Sequence, residues 1–278
     1  MDTTERSGAG KEVRWENDIH TYYHSGAAGD VIYALPALIT HARTKNVAGM
    51  FRIVLNNSAD VSPSPAFTEQ SAASLIALLE VQPYIDRATY DPALDPPPLY
   101  NVDAFRKWAL TNEWVNDKLT ITEAVCRVAS VPNDRSIFQW LKCGRSSFRT
   151  LEDRRIDVIL SRSSRYHGID FPWRRIVEKL WYRSGFIGTD AEYITFCAKF
   201  GSVPRINCGS CLDIANAING AKLFIGNQSL PLAIAEALKK PLIQECWPQL
   251  PNCIWKRSYT THHLSGDLAI PDVDLIPE

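Results

Sequence analysis

Apolar positions along the chain follow two spacings. Short runs rich in β-branched and aromatic residues at 19–24 and 51–56 read as strands. Between them, from about residue 30 to 44, the apolar positions recur at helical spacing, and residues 71–79 predict a further helix. The sequence DPALDPPP at 91–98 places four prolines in eight positions, which forbids regular structure and predicts a surface loop. A helical stretch over 114–129 follows.

The alternation is cleaner in the second half. Strands are predicted at 156–160, 182–187, 222–225 and 241–244, and helices at 172–180, 190–200, 212–218 and 231–238. Strand–helix alternation of this kind builds parallel β-α-β units, so the fold class is α/β. Segment 132–155 mixes Pro, Gly, Ser and Arg without periodicity and marks a junction, which divides the chain into residues 1–150 and 151–278. In open parallel sheets ligands sit beyond the carboxyl ends of strands, which directs attention to the loops after Tyr23, Leu160, Ile187 and Ile225.

The 278 residues, 45% apolar and 22% charged, are of globular composition and exclude disorder and collagen-like repeats. The longest apolar stretch, residues 31–38, is far below the roughly 18 residues of a membrane span. The polar start, MDTTERSGAGKEVRWEND, lacks the apolar segment of a secretory signal, so a soluble cytoplasmic protein is expected. Seven scattered cysteines suit free thiols in a reducing compartment. The one close pair, Cys208-Gly-Ser-Cys211, has no second ligand pair at zinc spacing, and His262-His263 reads as a surface pair.

Lys and Arg number 30 against 31 Asp and Glu, a net charge of −1, but the balance is uneven. Residues 135–183 hold twelve basic side chains and five acidic ones, a local excess of +7 that favours an anionic ligand or forms a solvated basic face.

After the first strand comes His24-Ser-Gly26-Ala-Ala-Gly29-Asp30, then VIYALPAL. Gly26 and Gly29 permit a tight turn and close backbone approach, and Asp30 can cap a helix starting at Val31. Pro36, about one and a half turns in, should kink that helix. The string GDVIYALPAL, followed about 200 residues later by IGNQSLPLAIAEALKKPL, resembles the ADP-heptose:lipopolysaccharide heptosyltransferase-like glycosyltransferases. ILSRSSRYHGIDFPWRRIVEKL looks like that family's strand, basic loop and helix, and the resemblance runs over roughly residues 19–250.

The resemblance implies the GT-B architecture, two Rossmann-like domains facing a central cleft. The acceptor would lie on residues 1–150 and a nucleotide sugar on 151–278. It implies an inverting, metal-independent transfer in which the Asp of the GD turn, here Asp30, is the base. His24, with a pKa nearer neutrality, is the local competitor. Such chemistry needs a base for the acceptor hydroxyl and positive potential for the departing diphosphate. By the same resemblance Ser161, Arg162, Ser163 and Arg165 bind donor phosphates, although Lys is usual where Arg165 stands.

The resemblance further implies that Gly188 and Thr189 form the matching strand-end loop and makes Glu192 a candidate to contact the donor ribose, the alternative being a role at its helix start, with Glu245 a weaker candidate of the same kind. Asn227, Gln228 and Ser229 open a helix start that suits a diphosphate. There the sequence departs from the family, with Asn227 for Asp, Ser229 for Gly and Leu232 for His. No Asp-x-Asp motif stands in a strand-end loop, so no cofactor and no obligatory metal are expected. The expected acceptor is a saccharide or another hydroxyl compound, a modified DNA base being less favoured because the basic excess falls on the donor half. Two other classes stay open: a non-catalytic nucleotide-sugar binding module, and a sugar-nucleotide epimerase or hydrolase on the same scaffold.

Overall fold

A computed structural model describes residues 19–45, 49–57, 66–94, 101–109, 119–133, 139–149, 153–264 and 267–276. The first sheet has three parallel strands in the order β1 (His20–His24), β2 (Phe51–Leu55), β3 (Ile85–Tyr90). The second has five, all parallel, in the order β5 (Ser184–Phe186), β4 (Val158–Ser161), β6 (Leu223–Asn227), β7 (Leu242–Glu245), β8 (Thr260–His263). The helices are α1 (Ala28–Lys45), α2 (Glu69–Leu79), α3 (Ala104–Ala109), α4 (Ile121–Val128), α5 (Trp173–Leu180), α6 (Asp190–Phe200), α7 (Cys211–Gly220) and α8 (Leu230–Ala237). Two strands go beyond the sequence expectation, β3 and β8. Of the proline run at 91–98, residues 91–94 form turn and loop, and the rest lies outside the described residues, as does the start of the helix expected from 114.

Helix α1 is apolar nearly all round, with Val31 through Ile39 buried without a break. Such a helix must be covered on every side. Its neighbours are β1 and β2 on one side, α4 on another, and α8 from the second half of the chain. A second inter-half contact packs α2 against α7. One hydrophobic cluster therefore runs from Phe51 and Leu55 through α1 to Ala233 and Ala237. A separate cluster around Trp173, Phe186 and Phe196 fills the other face of the second sheet.

The helix continues through Pro36 as a single element. Proline has no N–H, so the carbonyl of Ile32 loses its partner one turn later. The indole N–H of buried Trp140 donates to that carbonyl at 3.1 Å. Trp140 and Leu141 in turn take the carbonyl of Ala237 at the end of α8, so this segment closes the seam between α1 and α8.

Two local expectations are corrected. Asp30 is not the residue that opens α1: the helix begins at Ala28, and Asp30 N–H already donates to Ala27 O at 2.8 Å. Ala28 and Gly29 enter helical conformation ahead of it, leaving Asp30 as the first-turn acid, a favourable place beside the helix's unpaired amides. His262-His263 is not a surface pair: both lie on β8, and His263 is buried with its ring edge-on to Phe171.

Candidate active site

In the second sheet the chain steps from β4 outward to β5, then returns to β6 on the other side. The reversal places a crevice beyond the carboxyl ends of β4 and β6, where parallel sheets bind ligands. The loops that follow these strands carry Ser161 to Arg165 and Asn227 to Ser229, so topology brings the two sequence-predicted segments together.

Asn227 joins them. It is fully buried, its Oδ1 accepts from Ser163 N–H at 2.9 Å, and its Nδ2 donates to Arg165 O at 2.5 Å and Ser163 Oγ at 3.1 Å. An amide accepts and donates from one side-chain end, which an ionised carboxylate cannot do, and this accounts for Asn where a carboxylate was the family expectation. Gln228 acts likewise on the loop after β7: its Nε2 donates to Leu250 O and Asn252 Oδ1, and its Oε1 accepts from Trp247 N–H. Both residues shape loops through their side-chain amides.

Ser229 precedes α8 with Pro231 in the first turn, and its hydroxyl donates to Asn227 O at 3.0 Å without capping the helix. Among the described residues no side chain caps the first amides of α8, the arrangement that attracts anions. Leu232, at the position of the family's His, is buried.

The predicted phosphate arginines differ in fate. Arg162 makes a two-pronged pair with Glu245, Nε to Oε2 at 3.0 Å and Nη2 to Oε1 at 3.1 Å. Glu245 is wholly buried and also accepts from Gly168 N–H and Trp173 Nε1, so the weaker candidate is a structural anchor and Arg162 is committed to it. Arg165 is exposed, its guanidinium 5.3 Å from the ring of Tyr166, which pairs with Trp247 at 5.4 Å. Part of the basic excess is likewise paired with carboxylates of this chain: Arg155 and Arg183 with Asp157, and Arg149 with Asp153. Arg135 lies outside the described residues.

Thr189 and Glu192 form a reciprocal cap on α6, Thr189 Oγ1 accepting from Glu192 N–H at 3.3 Å and Glu192 Oε2 from Thr189 N–H at 2.8 Å. Of the two roles open for Glu192, the structure displays the helix-start one. The carbonyl of Gly188 accepts from Arg205 Nη2.

On the first half, the GD turn meets α8 directly. A methyl group on Gly29 would lie 3.6 Å from both N and Cα of Leu230. Asp30 follows with its side chain 23% exposed and its Oδ2 taken by Arg106 Nη2 at 2.6 Å. Its negative charge reaches across to the second half, where with burial as the larger cause it raises the Cys253 thiol to about 12.

His24 is sealed, with no solvent exposure. Its Nδ1 lies 3.1 Å from Gly26 N and 3.2 Å from Asp103 Oδ1, while among the described residues Nε2 has no partner. Burial depresses its pKa, against an opposing pull from Asp103. Asp103 and Arg106 were invisible to sequence reasoning, although NVDAFR at 101–106 does carry an acid and a base one helical turn apart.

The fold as a whole resembles solved glycosyltransferases. Over 81% of this chain and 88% of the other it matches E. coli heptosyltransferase WaaC, solved with ADP-2-deoxy-2-fluoro heptose, at 12% identity and a TM-score of 0.52. Over 90% of this chain and 64% of the other it matches the iron-containing dodecameric glycosyltransferase TibC of enterotoxigenic E. coli, at 16% identity and a TM-score of 0.55. The chain has the heptosyltransferase fold. No family model matches the sequence, and no curated protein does. The α/β class and GT-B likeness expected from GDVIYALPAL and IGNQSLPLAIAEALKKPL thus agree with the architecture. Among the described residues no helix is long and apolar enough to cross a membrane, and no three His, Cys, Asp or Glu side chains group as metal ligands.

Proposed function

We propose that this chain is an inverting glycosyltransferase that moves a sugar from a nucleoside diphosphate sugar to an acceptor hydroxyl, with residues 151–278 holding the donor and 1–150 facing the acceptor. One observation carries the reading: the carboxylate of Asp30 stands on the turn that packs against the uncapped start of α8. A base and a diphosphate cradle belong side by side in this reaction.

In the proposed step Asp30 takes the acceptor hydroxyl proton as that oxygen bonds to the anomeric carbon. The bond from that carbon to the diphosphate oxygen breaks with its electron pair leaving on the diphosphate. The amides of α8 and the exposed Arg165 receive the charge. His24 is unsuited to the role because no solvent reaches it. The potential of α8 supplies what a divalent cation would otherwise supply, so turnover should persist in EDTA.

WaaC was solved with an ADP-sugar analogue, which makes ADP-sugars the first donors to try. The test is a panel of ADP-, UDP- and GDP-sugars, read as nucleoside diphosphate release with and without a saccharide acceptor. Acceptor-dependent release that Asp30→Asn abolishes, with ADP binding retained, is the expected result; an active Asp30→Asn rejects the base. The commitment of Arg162 to Glu245 favours one second reading, a nucleotide-sugar binding module without catalysis. Binding with no release would select it.

A further inference from the structure

We infer that Asp103 and Arg106 form a positioning unit for Asp30, holding its Oδ2 so that its Oδ1 faces the acceptor; this rests on the glycosyl-transfer reading above. The guanidinium of Arg106 forks, with Nη1 on Asp103 Oδ1 and Nη2 on Asp30 Oδ2, both at 2.6 Å. Asp103 is fully buried and anchored at both ends. Its Oδ2 accepts from Ser25 N–H, its Oδ1 accepts from Arg106 Nη1, and its own N–H donates to Asn101 Oδ1 at 3.0 Å. The unit therefore ties the end of β1 to the start of α3.

Saturation distinguishes the two carboxylates. Asp103 has partners on both oxygens, whereas among the described residues the Oδ1 of Asp30 has none. Two carboxylates share one guanidinium, and with His24 neutral the group keeps one net negative charge. That charge has only one partly exposed outlet, Asp30. The buried oxygens of Asp103 are all paired, whereas the unpaired oxygen of Asp30 belongs to a partly exposed side chain and is open to a ligand.

Gly26 is part of the device. A methyl group there would sit 1.6 Å from Arg106 Nη2 and 1.9 Å from Nη1, so the fork lies in space that only glycine leaves open. Gly26 is thereby explained by the guanidinium as well as by the turn.

The experiment uses the full chain, the donor of the panel that the wild type turns over, and ADP as the binding probe. Arg106→Gln should lower kcat at least 100-fold and Arg106→Lys about tenfold, a lysine reaching one carboxylate but not forking to two. Donor KM and ADP affinity should stay within twofold. Gly26→Ala, which displaces the guanidinium without removing it, should reproduce the kcat loss and serves where Arg106→Gln does not fold. Arg106→Lys and Gly26→Ala within threefold of wild-type kcat, beside an inactive Asp30→Asn, would overturn the positioning unit and leave the base assignment standing. Equal losses of kcat and ADP affinity would overturn it as well. An active Asp30→Asn, or no release by the wild type from any donor, would overturn the underlying reading and this inference with it.

Discussion

The indole N–H of Trp140 occupies the carbonyl of Ile32, the acceptor that Pro36 leaves empty in α1. Trp140 and Ile32 are 108 positions apart, and Pro36 and Trp140 act as one device, a break in a helix ladder and the group that repairs it. Trp140→Phe should cost about 1–3 kcal/mol by leaving a buried carbonyl unpaired. In a Pro36→Ala background the new N–H can close the ladder, so the same substitution should cost less. Urea unfolding of the four species in this cycle measures the coupling. Equal costs of Trp140→Phe in the two backgrounds would disprove it.

Glu245 has no solvent exposure and gathers four donors from Arg162, Gly168 and Trp173. Glu245→Ala strips the acceptor from a mostly buried guanidinium and from an indole N–H, and should destabilise by about 3–5 kcal/mol. If Arg162 serves the fold through this pair, Arg162→Met/Glu245→Leu should recover much of the loss in a denaturant titration, and ADP affinity should return with it. ADP binding that stays absent in a stable double variant would assign Arg162 to the ligand after all.

How much of this was legible in the sequence depends on how local each signal is. The helices α5 to α8 and strands β4 to β7 were readable because each declares itself within ten residues through apolar spacing, Thr189 and Glu192 at a helix start, or Pro231 in a first turn. Strand β3 escaped because IDRATY puts Asp86 and Arg87 in its middle; Asp86 is there to pair with Arg52 across the strands at 2.6 Å. The meeting of the loops after β4 and β6 was foreseeable from strand-end logic. Their internal wiring was not: the sequence marks Arg162 as basic but cannot say that a buried carboxylate 83 residues on will claim it. Asp103 and Arg106 sit 73 and 76 residues beyond Asp30, behind a proline-rich stretch, and no motif joins them to it.

Asn227 offers a direct test of a family departure. Asn227→Asp keeps the shape but replaces a donor with a second acceptor, setting it against the carbonyls of Ser163 and Arg165. The expected cost is about 1–3 kcal/mol in stability, with the loop of Ser163 and Arg165 released. Faster amide exchange at Ser163, measured by mass spectrometry on peptic fragments, is the signature. Unchanged exchange and stability would mean that a carboxylate serves equally well there.

Acid sensitivity should trace in part to His262. Burial, with Arg257 and Lys256 nearby, lowers its pKa from an ordinary 6.5 to about 4. The folded chain therefore resists a proton that the unfolded chain accepts, so stability is full above pH 6.5 and falls as pH drops from 6.5 towards 4. One such group contributes a slope of up to about 1.4 kcal/mol per pH unit, reduced by its partial contact with solvent. His24 and His41 are shifted in the same direction by burial, so the wild-type profile sums three groups. His262→Gln removes one of them and should flatten the stability profile between pH 6.5 and 4.5 while changing little at pH 8. Thermal unfolding across that range measures the difference, and parallel profiles for variant and wild type would place the acid sensitivity elsewhere.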